Sequence, residues 1–211
     1  MKTYLFDFDG TLVDSMPTYA ALMLRILDEN GIAYGDDIIK IITPLGFVGT
    51  ADYFIGMGLD KPRDEIVAKM REYATEEYTY NIPAKDGVIE TLRLLKARGA
   101  DLNVLTASPH TSLDPCLKRL GIFDIFTNVW SCEDFGTTKA DPDIYVAAAE
   151  RMGVAVGDVL FVDDNLGADK TAKSAGMKVC GIYDDSSREY VEEMKAETDF
   201  YVFNFADIAE I

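Results

Sequence analysis

The sequence is poor in basic residues and has one histidine. Lysine and arginine number 20 against 37 aspartates and glutamates, so the formal net charge of the 211 residues is −17. A surface this acidic repels nucleic-acid backbones and anionic membranes, so we expect neither as a partner. His110 is the only histidine, which excludes a histidine-rich metal centre and disfavours histidine-based catalysis.

The sequence also has few cysteines and no long apolar run. Cys116, Cys132 and Cys180 are too widely spaced for a metal-ligand cluster or a disulfide framework, so we expect inert thiols in a reducing compartment. No uninterrupted apolar stretch is long enough to span a bilayer. The first residues enter a strand pattern without the charged and apolar regions of a signal peptide. These features predict a cytoplasmic protein.

Short apolar runs alternate with helix-like segments along most of the chain. They are continuous rather than alternating, as in strands that are covered on both faces. The runs are TYLFDF, DLNVLTA, IFTNVW, DVLFVD and MKVCGIY, and DFYVFNF suits an additional edge strand. Hydrophobic residues make up 48% of the sequence, enough for a full core. This repetition predicts an α/β fold with a mainly parallel sheet.

One segment interrupts the alternation of strands and helices. Residues 17–83 contain no convincing strand and carry helical patterns of apolar residues instead. We therefore predict a small helical bundle at residues 16–83, inserted into a core formed by residues 1–15 and 84–211. The predicted linkers lie where the chain leaves the first strand and where it returns to the sheet.

Polar clusters follow the predicted strands, at the sheet edge where ligand sites of α/β proteins form. They are Asp7 with Asp9, Thr106 with Ala107 and Ser108, Lys139, and Asp163 with Asp164. Residues two apart share a strand face, so we expect Asp7 and Asp9 to reach one pocket if the first strand extends that far. Gly10 lets backbone N–H groups approach an anion, and the Thr106 hydroxyl suits a phosphate oxygen.

The aspartates of these clusters bring four potential negative charges to one place. Unpaired, such a group would be costly, and the pKa values of the carboxylates would shift. Mg²⁺ resolves the conflict, because it prefers oxygen ligands and is typically held by carboxylates together with a substrate phosphate. Lys139 supplies a positive charge for the same phosphate. Each residue alone also fits a turn, a helix cap or an exposed lysine, so the argument depends on their order and placement together.

The stretches DFDGTLVDS, LTAS and FVDDN, with Lys139 between the last two, resemble the four-motif signature of the haloacid dehalogenase (HAD) superfamily. The resemblance spans nearly the whole chain, and its first motif is the most specific. The helical insert resembles the small cap of the branch that includes phosphoglycolate phosphatase and β-phosphoglucomutase. That branch has a Rossmann-like core and requires Mg²⁺, so the resemblance implies both here.

The resemblance also implies roles for individual residues. Asp7 would be the nucleophile and Asp9 the general acid and base. Thr106 and Lys139 would bind the phosphoryl group, beside the backbone donors expected at Gly10 and Ala107. The implied Mg²⁺ ligands are Asp7, the backbone carbonyl of Asp9, Asp164, and Asp163 either directly or through water.

Two positions depart from the family pattern. Lys139 is followed by Ala140, where the branch usually has proline. Ala168 stands four residues after Asp164, where some phosphatases carry another acidic residue, and Asp169 comes one place later. These departures leave open which residues surround the metal beyond its direct ligands. They do not change the core chemistry.

The residues and the resemblance together predict hydrolysis of a small phosphomonoester metabolite through an aspartyl-phosphate. The resemblance implies a phosphoglycolate-like substrate or a sugar phosphate. The residues expected to face the substrate are Leu45, Phe47, Thr50 and His110, although His110 equally suits a surface loop. The nearest alternative is a phosphomutase, but residues 43–50 lack the basic residue that family mutases tend to carry there. An inactive phosphate-binding relative is a further possibility. A phospho-signalling receiver fits less well, because its acidic pair would precede its phosphorylated aspartate. The sequence carries no signal for the oligomeric state.

Overall fold

The computed structural model describes residues 2–211, apart from the side chain of Pro44. The chain divides into two compact units. The larger unit comprises the residues up to Asp14 together with Pro83–Ile211, and the smaller unit is Ser15–Ile82. Within the described residues, every helix is too short or too polar to traverse a lipid bilayer.

The larger unit is built on a six-stranded parallel sheet. Its strands are β1 (Thr3–Phe6), β2 (Asp101–Thr106), β3 (Asn128–Ser131), β4 (Val159–Asp163), β5 (Lys178–Ile182) and β6 (Phe200–Val202). They lie in the order β3-β2-β1-β4-β5-β6, so the chain builds outward from β1 first on one side and then on the other. The predicted Rossmann-like α/β fold is therefore confirmed, including its last edge strand.

Helices connect these strands and make up the smaller unit. The helices of the smaller unit are α1 (Met16–Glu29), α2 (Ile38–Ile42), α3 (Gly46–Gly56) and α4 (Arg63–Tyr80). Those of the larger unit are α5 (Val88–Ala97), α6 (His110–Arg119), α7 (Asp143–Met152), α8 (Leu166–Ser174) and α9 (Val191–Glu197). The amphipathic pattern of α4 buries Ile66, Met70 and Tyr73, so the helical character predicted for this segment is confirmed.

The sheet has a buried apolar layer on each face. On one face, Leu5 and Phe161 belong to a core cluster that includes Tyr145 of α7, and the rings of Phe161 and Tyr145 lie 5.1 Å apart. On the other, Tyr4 and Phe6 stack with ring centroids 5.6 Å apart. Burial of each such side chain contributes about 1.5–3 kcal/mol. The strands are therefore covered on both sides, and their carboxyl ends lie along one edge of the sheet.

Candidate active site

Asp7 and Asp163 lie side by side because of the register between β1 and β4. Phe6 is paired with Val162, so the residue after Phe6 comes opposite the last residue of β4. The backbone N–H of Asp7 donates to the carbonyl of Val162 at 2.9 Å, which extends the pairing by one residue. Both carboxylates are buried. Backbone pairing of β1 with β4 thus places two acidic residues next to each other.

Asp9 reaches the site through a turn rather than by strand alternation. We expected Asp7 and Asp9 to share a strand face only if the first strand extended to both residues. The strand β1 ends at Phe6, so this condition is not met. Gly10 has a φ of +77°, and its N–H donates to the carbonyl of Val13 at 3.0 Å. A residue with a side chain would be strained there, so this tight turn depends on glycine.

Lys139 joins the two buried carboxylates. Its ammonium donates to Asp163 at 2.8 Å and makes a very short contact with Asp7. The lysine side chain is 14% exposed, so water competes little for these charge-assisted bonds. The Tyr145 hydroxyl donates to the carbonyl of Lys139 at 3.2 Å and fixes the backbone just before α7.

Three of the predicted metal ligands lie close together. Carboxylate oxygens of Asp7, Asp163 and Asp164 are all within 4.8 Å of one another, and the three residues are buried. The hydroxyl of Thr11 donates to Asp164 at 3.0 Å and orients that carboxylate. Oxygen donors with this charge are the ligands that Mg²⁺ prefers, so the donor set fits a hard divalent cation.

The electrostatics of the site also favour a cation. Burial raises the pKa of Asp7 to about 8, and the carboxylates of Asp163 and Asp9 add to the rise while Lys139 opposes it. Burial, and then the charges of Asp163 and Asp7, raise the pKa of Asp164 well above its usual value. A cation beside these groups would stabilise their ionised forms and lower their pKa values.

Lys139 keeps its positive charge in spite of its burial. Burial alone would lower the pKa of its ammonium. The adjacent charges and hydrogen bonds of Asp163 and Asp7 outweigh this effect and raise the pKa well above the usual value for lysine. The site therefore holds a permanent positive charge next to its acidic residues, as a phosphoryl group would require.

The end of β2 supplies hydroxyl groups. Thr106 is the buried last residue of this strand, and its hydroxyl oxygen accepts the Ser108 N–H at 3.0 Å. Ala107 between them is exposed. The hydroxyl of Ser108 donates to Asp9 at 2.5 Å. Sequence reasoning identified Ser108 only as a member of a hydroxyl-bearing stretch, and its contact with Asp9 is visible only in the structure.

His110 is held between two acidic residues. Its Nδ1 lies 2.8 Å from the carboxylate of Asp114, and its Nε2 lies 2.8 Å from that of Asp134. The hydrogen bond with Asp114 is the main cause that raises the pKa of His110, and Asp134 adds to it. Both ring nitrogens thus have partners in the larger unit, and a contact of His110 with substrate stays a prediction.

The three specificity residues proposed in the smaller unit differ in accessibility. Leu45 is 42% exposed. Phe47 is half-buried and stacks on Tyr19 with ring centroids 5.3 Å apart. Thr50 is buried, and its hydroxyl donates to the carbonyl of Ile42 at 3.2 Å, inside the unit. Leu45 therefore offers the most surface of the three, and their contact with a substrate stays a prediction.

Further polar residues surround the site without having been assigned from the sequence. Asp184 follows β5, so the strand-end rule that found the other aspartates could also have found it. Lys85 donates to Asp184 at 2.9 Å, and no sequence pattern marks it. Asp169 is 1% exposed, and neither of its carboxylate oxygens has a hydrogen-bond partner among the described residues.

The site combines buried aspartates and a lysine at the strand ends of a Rossmann-like sheet. Residues 1–176 match the family model described as haloacid dehalogenase-like hydrolase. The chain belongs to the haloacid dehalogenase-like hydrolases, and the family resemblance seen in its motifs is confirmed.

Its relatives include several phosphatases. The chain is 31% identical over 180 residues to the pyrophosphatase PpaX of Bacillus velezensis, and the match covers 84% of this chain and 81% of that protein. It is 29% identical over 202 residues to phosphoglycolate phosphatase of Escherichia coli, covering 84% of this chain and 79% of that one. A solved HAD hydrolase of Entamoeba histolytica, family IA variant 3, has the same fold, with a TM-score of 0.81, 19% identity and full coverage of both chains.

Proposed function

We propose that this protein is a Mg²⁺-dependent phosphatase that hydrolyses a small phosphomonoester metabolite through an aspartyl-phosphate on Asp7. The observation that carries this proposal is the contact of the Lys139 ammonium with both Asp7 and Asp163, beside a cluster of carboxylate oxygens. Such a site combines a nucleophile, a cationic clamp and ligands for a divalent metal. The phosphatase names of its relatives support the same reaction class.

The phosphoryl group is proposed to bind between the strand ends. Lys139 would contact its non-bridging oxygens, helped by the Thr106 hydroxyl and by backbone N–H groups near Gly10 and Ala107. The ligands proposed for Mg²⁺ are Asp7, Asp163, Asp164 and the backbone carbonyl of Asp9. When bound, the cation would neutralise charge on the phosphoryl oxygens.

In the first step, a carboxylate oxygen of Asp7 attacks phosphorus in line with the leaving group. A new oxygen–phosphorus bond forms while the ester bond breaks, and the leaving oxygen takes a proton from Asp9. Asp9 must therefore be protonated when the substrate binds. The hydroxyl of Ser108, 2.5 Å from the Asp9 carboxylate, would hold the Asp9 side chain in a fixed orientation during both steps.

In the second step, water releases the phosphoryl group from Asp7. Asp9, now ionised, takes a proton from the water as its oxygen attacks phosphorus. The bond between Asp7 and phosphorus breaks, inorganic phosphate leaves, and Asp7 and Asp9 return to their starting states. The two aspartates thus have separate roles, one as nucleophile and the other as proton carrier.

The smaller unit, residues 16–83 in the sequence prediction, is proposed to be the cap that selects the substrate, since all of the proposed chemistry lies in the larger unit. The candidate selectivity residues are Leu45, Phe47, Thr50 and His110. Residues 43–50 contain no lysine, arginine or histidine, which favours a substrate without a second anionic group near that loop. The proposed substrate class is sugar phosphates or phosphoglycolate-like acids, and the carboxylate of such an acid would have to bind away from this loop.

The proposed partner is a small metabolite rather than a nucleic acid or a membrane. The formal net charge of −17 disfavours binding to both of these polyanionic surfaces. All three cysteines are free and buried, which suits the cytoplasmic location predicted from the sequence.

A phosphate-release assay tests this proposal. The panel contains phosphoglycolate, N-acetylmuramic acid 6-phosphate, pyrophosphate and β-glucose 1-phosphate, each with Mg²⁺ and with EDTA. The proposal expects Mg²⁺-dependent phosphate release from at least one phosphomonoester. Conversion of β-glucose 1-phosphate to glucose 6-phosphate without phosphate release would instead identify a mutase, and no turnover of any compound would point to an inactive relative.

A further inference from the structure

Lys85 makes three hydrogen bonds that join distant parts of the larger unit. Its ammonium donates to the carbonyl of Gly10 at 2.6 Å, to the carbonyl of Tyr183 at 2.9 Å and to the carboxylate of Asp184 at 2.9 Å. A lysine ammonium has three donors, so the three acceptors match its capacity. Its own backbone N–H donates to the carbonyl of Leu12 at 3.1 Å. Side chain and backbone of Lys85 therefore both hold the loop that follows β1.

The turn that Lys85 holds lies directly against Asp164. A Cβ atom on Gly10 would lie 2.5 Å from one carboxylate oxygen of Asp164 and 2.7 Å from the other. The next residue, Thr11, donates its hydroxyl to the same carboxylate at 3.0 Å. A shift of this turn would therefore move or release Asp164, because backbone and hydroxyl contacts fix it from the same side.

The buried carboxylate of Asp184 explains why a positively charged residue is needed at position 85. Its side chain is 7% exposed and caps the following turn by accepting the Ser186 N–H at 2.9 Å. Burial would raise the pKa of Asp184, but the hydrogen bonds from Lys85 and Ser186 outweigh this and lower it. The ammonium thus compensates a buried carboxylate while it binds the two carbonyls.

We propose that Lys85 is a positioning residue that holds the Gly10 turn against Asp164 and keeps that carboxylate placed for the divalent cation. This inference rests on the proposed function, in which Asp164 is a metal ligand. Groups that orient metal ligands typically change metal affinity by about 10–100-fold when they are removed. Lys85 would act through backbone and turn, without touching the substrate or the cation.

The direction in which Mg²⁺ affinity changes after removal of Lys85 distinguishes a positioning role from a purely electrostatic one. Removal of a positive charge near a cation site, with Asp184 left ionised, would by itself attract Mg²⁺ more strongly. Loss of positioning would have the opposite effect, since a displaced Asp164 binds the cation less well. Weaker binding after removal of Lys85 is therefore the specific signature of the proposed role.

The experiment compares Mg²⁺ binding to the full chain by isothermal titration calorimetry for the wild type, Lys85→Met and Lys170→Met. Lys170 is a matched control because it is exposed and makes one ion pair with Glu193 in the same unit. We expect Lys85→Met to raise the Kd for Mg²⁺ by about tenfold and Lys170→Met to leave it unchanged. In steady-state assays, the Mg²⁺ concentration for half-maximal rate should rise in parallel, with a smaller change in the substrate KM.

An unchanged or tighter Kd in folded Lys85→Met would overturn the inference. Should this variant fail to fold, Lys85→Gln, which keeps a donor but loses the charge, gives the same test with the same expected direction. Asp164→Asn separates this inference from the proposed function. If Asp164→Asn abolishes Mg²⁺ binding and the Lys85 variants retain it, the inference alone is wrong, whereas a wild type that does not bind Mg²⁺ contradicts both.

Discussion

The ammonium of Lys139 donates a 2.8 Å hydrogen bond to the carboxylate of Asp163. Lys139 lies in the segment before α7 and Asp163 is the last residue of β4, so the contact joins a loop to a strand end. Asp163 is buried and the lysine side chain is 14% exposed, so water is a poor substitute partner for either charge. The pair therefore couples the stability of the fold to the chemistry of the site.

Replacement of Lys139 tests this coupling. Lys139→Met leaves Asp7 and Asp163 without their cationic partner, so we expect kcat/KM to fall by at least about 100-fold. Without added metal, the free energy of unfolding should also fall, by about 3 kcal/mol. Phosphate release and urea unfolding measure the two effects. The exposed control Lys170→Met should change neither, and near-normal activity of Lys139→Met would contradict the role of Lys139 as a clamp.

Gly10 tests how closely the loop after β1 approaches Asp164. Gly10→Ala places a methyl group 2.5 Å from the Asp164 carboxylate at a residue with a φ of +77°. Gly121→Ala is a matched control, because Gly121 has a φ of +68° but the described part of the chain places no atom within 4 Å of the added Cβ. The control should lose about 1–2 kcal/mol from backbone strain alone. Gly10→Ala should lose about 1–3 kcal/mol more from overpacking.

Urea unfolding of the two glycine variants gives these values directly. Gly10→Ala should also lose Mg²⁺-dependent activity, while Gly121→Ala should retain it. Equal losses of stability in the two variants, or full activity of Gly10→Ala, would show that the turn does not bear on Asp164.

Local patterns in the sequence are sufficient to predict most of the fold. Continuous apolar runs predicted all six strands, because buried parallel strands leave this pattern in the sequence. The rule that ligand sites form at strand ends predicted the cluster of Asp7, Asp163 and Asp164. The order of the strands was not predicted, since local patterns do not specify which strands become neighbours.

Contacts that depend on tertiary structure could not be predicted in this way. The acceptors of Lys85 lie 75, 98 and 99 residues away from it in the sequence, and nothing near Lys85 indicates them. The contact of Ser108 with Asp9 likewise depends on a turn that replaces the expected strand. The carboxylate of Asp169 has no hydrogen-bond partner among residues 2–211 because of the packing between α8 and β5, which no periodicity encodes.

His110 should make the stability of the protein depend on pH. Its folded-state pKa is raised, chiefly by the hydrogen bond with Asp114, so the charged ring stabilises the fold fully below the unfolded pKa of about 6.5. This contribution is lost as pH rises through the raised folded-state pKa. Because the ring is 39% exposed, solvent screening keeps it to under about 1 kcal/mol.

The comparison of wild type with His110→Gln measures this contribution. The wild type should be more stable than the variant at about pH 6, and the difference should shrink above about pH 8. Urea unfolding at the two pH values checks the sign. A difference that grows with pH would mean that the neutral ring, rather than the charged one, pairs with the two aspartates.

Asp169 should destabilise the protein as pH rises. Burial, together with the charges of Asp163 and Asp164, raises the pKa of Asp169 well above its usual value. Above the unfolded pKa of about 4, the folded state holds a proton that the unfolded state has released, so stability falls by up to about 1.4 kcal/mol per pH unit. Asp169→Ala removes this loss, and its stability relative to the wild type should increase as pH rises above about 5.

Urea unfolding in the presence of EDTA measures the effect of Asp169 without a contribution from bound metal. A stability difference that stays constant over this pH range would show that the carboxyl group has a polar partner in solution. A difference that reverses would show that the ionised carboxylate is stabilised in the folded state.

The nucleophilic role of Asp7 is the central claim, and Asp7→Asn tests it most directly. The amide keeps the size and the backbone contacts of Asp7 but cannot form the aspartyl-phosphate, so the fold should be retained. The measurement is Mg²⁺-dependent phosphate release from the best substrate of the panel. We predict a loss of at least about 10³-fold relative to the wild type. Metal-dependent release by folded Asp7→Asn at a rate close to that of the wild type would contradict the account.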